Sequence, residues 1–139
     1  MPSLENQTLK DEDLLVIILS GAGEGRYRNL RMKLAHVLYE EEHPFSKTTS
    51  EKETKVEPHR LIQYRFLTDI TGTPSKTFGD AWFELVQYGQ IESVGLREDY
   101  LVSSEIEREA NEIRKRCSLS EEDYNYLRNI GQKVRWSDR

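Results

Sequence analysis

The side chains of this sequence whose types could do chemistry are three histidines, one cysteine and several clusters of charge. His36 and His43 lie seven residues apart with Glu40 between them, so on a helix they share a face and could offer a metal pair. Neighbouring ligands on a helical surface stand three or four residues apart, however, and neither H-x-x-x-H nor H-E-x-x-H occurs here. These read as surface histidines, and no metal is expected. Cys117 has no histidine near it in sequence and falls on the apolar side of a helical stretch, where a thiol is buried and inert. No nucleophile elbow occurs, and acidic pairs arise by chance in a chain with 25 Asp and Glu. No catalytic residue is assigned, no enzyme activity is expected, and no cofactor is implied.

One glycine arrangement needs a decision. The apolar run Leu14–Leu19 is followed by SGAGEGR and then a helical stretch, as in a dinucleotide-binding turn, where glycines let the backbone approach a pyrophosphate. The spacing fails: G-x-G-x-x-G requires glycine three residues after Gly23, and Arg26 stands there. Gly21, Gly23 and Gly25 read instead as breakers forming a flexible turn.

The remaining chemistry is charge that could meet a macromolecule. Arg26, Arg28, Arg31 and Lys33 form a basic cluster, and Lys76, Thr77, Asp80, Glu84 and Gln87 fall on the polar side of a later amphipathic helix. A helix that reads base edges presents Arg, Lys, Asn or Gln, so Asp80 and Glu84 weaken a DNA-reading role and suit a protein partner better. Trp136, a large aromatic near the chain end, suits a contact with the body or with another copy.

The elements that must position these residues follow from periodicity. Thr71–Ser93 is the strongest stretch: Thr73 or Ser75 caps a helix, Pro74 fits its first turn, and Phe78, Ala81, Trp82, Leu85 and Val86 make one buried face up to Gly89. Beyond it, Ile91–Val94 and Tyr100–Val102 flank the turn Gly95–Glu98 as a two-stranded wing. Leu14–Leu19 is a buried strand or a short helix, apolar nearly all round, and Asn29–Glu42 is helical through Leu30, Leu34, Val37 and Leu38. The proline-bounded segment Pro44–Pro58 reads as an exposed loop, and Arg60–Ile70 fits either a strand or a helix. Ser104 with Glu107 predicts a capping box for a helix to Cys117, and Ser120 starts a last helix with Tyr124, Leu127, Ile130 and Val134 inward.

Length and composition bound the class. A chain of 139 residues makes one domain, and a net charge of −5 argues against binding nucleic acid by bulk electrostatics. With 36% hydrophobic and 32% charged residues it can build one core beneath a heavily charged surface. A single cysteine, no apolar run long enough for a bilayer and an acidic start without a signal-peptide pattern imply a cytoplasmic protein with no membrane partner.

RNLRMKLAHVLYEEE is similar to the R-x-R-L-Q-K-L-x-F-x-x motif of a prokaryotic family of small winged-helix proteins, the YwgA type. Phe66, then Gly72, Ser75 and Lys76, the apolar helix and GQIES resemble that family's F-x-x-x-x-x-G-P-x-S-K segment and the ending that follows it, and YLVSSEIEREANEI resembles a wing strand and its following helix. Thr73 stands where the family has proline, and Lys33-Leu34 stands near its Gln-Lys pair. The resemblance implies an α+β, mainly helical fold: a winged helix-turn-helix with a two- or three-stranded wing and extra C-terminal helices. It favours a strand over Arg60–Ile70. The domain layout expected is a flexible N-terminus over 1–10, a winged-helix domain over 11–117 with its exposed loop at 44–58, and a C-terminal helix over 118–139 packed on it.

Two functions follow as expectations. The first is a non-catalytic winged-helix regulator that contacts DNA, as a dimer or within a larger complex, through Arg26, Arg28, Arg31, Lys33, Lys76, Thr77 and the wing residue Arg97. The second is a protein–protein adaptor or antitoxin-like binder that uses the same surface without reading DNA, through Asp80, Glu84 and Trp136. Both leave a homodimer open.

Overall fold

An α-helix that is apolar on every side needs neighbours on every side, and helix α1 (Asp11–Ala22) has them. The computed structural model describes residues 9–42, 61–62, 64, 76–95 and 99–137. After α1 come β1 (Gly25–Tyr27), α2 (Leu30–Glu42), α3 (Lys76–Gln87), β2 (Ile91–Ser93), β3 (Tyr100–Val102), α4 (Ile106–Arg116) and α5 (Glu121–Ser137). The protein is α+β and mainly helical, with one small antiparallel sheet.

Leu14 through Leu19 are all buried, because α1 packs against α5, α4 and α3 at once. The open choice between strand and helix resolves as helix. Its start is fixed by Asp13, which accepts the Lys10 N–H at 3.1 Å and also a 3.0 Å bond from Arg116 of α4. The buried Ser20 hydroxyl is satisfied by donating to the Ile17 carbonyl at 2.6 Å.

The glycines do different jobs from those the sequence suggests. Gly21 lies inside α1, not after it, and a methyl group there would overlap the Arg128 backbone of α5. Gly131 of α5 faces the Ile18 carbonyl equally closely, so the two helices cross with backbone against backbone. Gly23 ends α1 at φ +96°, where its N–H donates to the Leu19 carbonyl at 2.9 Å.

The expected flexible turn after Gly23 is partly β1, a correction with a plain cause. Three residues cannot form a strand alone, but β3 supplies a ladder, pairing Gly25 with Val102, Arg26 with Leu101 and Tyr27 with Tyr100. β2 pairs on the other side of β3, with Ile91 opposite Val102 and Ser93 opposite Tyr100, so the order is β1-β3-β2. The Tyr27 hydroxyl donates back to the Ala22 carbonyl at 2.7 Å, tying the sheet to the end of α1.

Three further expectations need correction. Val86 is 37% exposed because it sits at the edge of the α3 buried arc, which is centred on Phe78, Ala81, Trp82 and Leu85. Ser104 does not cap α4: the chain turns at Ser103, whose hydroxyl accepts the Glu105 N–H at 3.1 Å, and Glu105 takes the cap position without a side-chain bond. Cys117 is only half-buried, since it lies just past the last turn of α4. The Ser120 start is as expected, its hydroxyl accepting the Asp123 N–H at 3.1 Å. Thr73, Ser75, the segment 44–58 and most of 60–70 lie outside the described residues, although Ile62 and Tyr64 are buried and the Tyr64 hydroxyl donates to the Asp11 carbonyl at 2.8 Å.

Candidate functional site

Helix α3 buries Phe78, Ala81, Trp82 and Leu85, with the Trp82 ring edge-on to Tyr100 of β3 at 5.0 Å between centroids. At about 100° per residue the opposite side must carry Lys76, Asp80, Phe83 and Gln87 along its crest. Thr77 and Glu84 flank that crest on one side, with Gly79 and Val86 on the other. The Thr77 flank meets the start of α1. There Asp11, Glu12, Thr77, Asp80, Ala81 and Glu84 line an open cleft of about 270 Å³.

Four carboxylates therefore share one small concavity, and among the described residues no ion pair reaches any of them. Several acids elsewhere are matched. Asp13 pairs with Arg116 at 3.0 Å, Asp99 with Arg26 at 3.3 Å, Glu41 with Lys133 at 2.8 Å and Glu107 with Arg128 at 3.0 Å. Glu105 and Glu112 share Arg108 at 2.8 and 2.9 Å. The Asp11 carboxyl is raised above its ordinary value by burial and then by the neighbouring Glu12 charge.

The residues expected to meet nucleic acid are arranged otherwise. Arg26 lies on β1 and spends its guanidinium on Asp99, which also accepts the Asn29 N–H at 3.4 Å and so fixes the β1–α2 turn. Arg28 sits in that turn, Arg31 and Lys33 lie half-buried on α2, and all three have interaction partners. Lys76 is exposed at the start of α3, and Thr77 lies in the acidic cleft rather than on a basic surface. Arg97 lies outside the described residues.

Of the residues expected to meet a protein, Asp80 and Glu84 come together in the cleft, while Trp136 stands 64% exposed at the far end of α5. Asp11 and Glu12 were legible only as part of the acidic stretch before Leu14–Leu19, because nothing local tells that α3 will lie beside them. The exposed rings of Phe83 and Tyr88 also carried a signal, since the α3 periodicity leaves Phe83 on the polar side.

A second, cationic cleft of about 440 Å³ lies at the end of α4, lined by Asn111, Arg114, Lys115, Ser118 and Leu119. Arg114 stacks over the Tyr124 ring at 4.7 Å, and cations at a helix C-terminus complement its dipole, so this charge has a structural explanation. His36 pairs with Glu40 at 3.6 Å on the α2 surface, and among the described residues no group of three or more His, Cys, Asp or Glu is arranged to hold a metal ion. Among those residues, too, no helix is long and apolar enough to cross a membrane.

No protein-family model, no curated protein and no solved structure matches the chain.

Proposed function

We propose that this chain is a non-catalytic winged-helix module that docks a protein partner on the exposed side of α3, acting as an adaptor or antitoxin-like binder rather than as a DNA reader. Among the described residues the element order helix, strand, helix, helix, strand, strand, with the first strand pairing beside the last, supports a winged-helix reading, in which α3 would be the reading helix. The observation that carries the choice of partner is the cleft of Asp11, Glu12, Asp80 and Glu84 along that helix. Duplex DNA presents one negative charge per about 1.7 Å of its axis, so bringing four unneutralised carboxylates against it is repulsive at every register. A protein surface can instead supply matching cations.

Contact with DNA is the second reading, and the same element order favours it, with the Arg26–Lys33 cluster and Arg97 as its cations. A salt series separates the two. Fluorescence anisotropy with a random-sequence duplex at about 50 mM salt should give no saturable binding, whereas a DNA regulator would lose affinity by orders of magnitude as salt rises to about 200 mM. Binding with that steep salt dependence, weakened further by Arg28→Glu with Arg31→Glu, would sink the protein-docking reading.

A further inference from the structure

The exposed side of α3 is not uniformly acidic. Six large hydrophobic residues stand exposed among the described residues, and three of them, Phe83, Val86 and Tyr88, fall within six consecutive positions of the α3 end. Phe83 is 60% exposed and Tyr88 74%. Phe83 has no polar atom to present to water, so its exposure beside Val86 marks an apolar strip. Helical geometry sets that strip beside the carboxylates: Phe83 and Asp80 lie on the crest, Val86 falls away on one flank and Glu84 on the other, and Asp80 and Glu84 share a cleft with Asp11 and Glu12 of α1.

We propose that the occupant of this face is an amphipathic basic segment of a partner protein, its apolar side laid over Phe83 and Val86 and its Lys or Arg edge set into the Asp11–Glu12–Asp80–Glu84 cleft. The inference rests on the protein-docking reading and names its partner by chemistry. A strip of apolar surface alone would accept many partners, but one bordered by four uncompensated carboxylates selects for cations at the matching edge and rejects acids. The twelve residues of α3 span about 18 Å, which suits roughly three turns of a docked helix. An antiparallel two-fold contact of a second copy on the same face would set each cleft against the like charges of the other, which disfavours it.

A random peptide display library panned against the immobilised full chain tests the inference. Enriched peptides should carry Lys or Arg beside apolar residues spaced three and four apart. A synthetic peptide of the enriched sequence should lose about tenfold or more in affinity against Phe83→Ser and against Asp80→Lys with Glu84→Lys, and should weaken with salt. Circular dichroism of these variants should match the wild type and thermal melting should show no loss of stability, since the substituted side chains lie outside the core. Enrichment no better than on the Phe83→Ser chain would overturn the inference. So would enrichment of uncharged or acidic peptides that still need Phe83, a result that would leave docking on α3 standing while removing its basic chemistry. Concentration-dependent self-association in sedimentation velocity, lost in Phe83→Ser, would also overturn it and make a second copy the occupant. Failure of the docking reading itself shows separately, as salt-dependent binding of duplex DNA.

Discussion

At Asp11, burial and the adjacent Glu12 charge have a consequence for stability. Its folded-state carboxyl lies above the ordinary 3.8, so the folded chain holds this proton more tightly than the unfolded chain does. The contribution of this group to stability is therefore unfavourable at neutral pH and improves as pH falls through the folded value toward 3.8. Asp11→Asn lacks that titration. Its stability relative to wild type should be at its most favourable near neutral pH and should decline steadily on acidification, as read by urea denaturation across the acid range. A constant difference across that range would contradict the raised carboxyl. Only the Glu12 neighbour was visible in the sequence; the burial, which is the larger cause, was not, because it depends on how the folded chain surrounds the start of α1.

At the scale of elements, legibility followed how much of an element's identity is local. The buried face of α3 and that of α5 were readable because each helix is apolar on one side only, and the pairing of β2 with β3 because two short alternating runs flank a glycine-bearing turn. α1 was not readable as a helix, since a segment buried all round has no periodicity to show. β1 was missed because it exists only through its partner β3. The two serine caps make the same point and can be tested together. Ser120→Ala should cost about 0.5–2 kcal/mol, because Ser120 caps a free amide of α5, whereas Ser104→Ala should cost almost nothing despite the better sequence motif. Chemical denaturation of the two variants checks both; equal losses would restore the capping box at Ser104.

At the scale of the whole molecule, the core is organised around α1 rather than around α3, whose periodicity is the most conspicuous in the sequence. Its tightest partner is α5, held by the crossing of Gly21 and Gly131. Gly131→Ala would push a methyl group into the Ile18 carbonyl and force the helices apart, at a cost of about 1–3 kcal/mol in equilibrium denaturation. A loss well under that range would mean the crossing can relax freely. The same crossing sets a timetable for biosynthesis. The α5 residues that cover Leu14–Leu19, up to Val134, emerge from the ribosome more than a hundred residues after them. Over that interval the growing chain must carry its most apolar segment without its final cover.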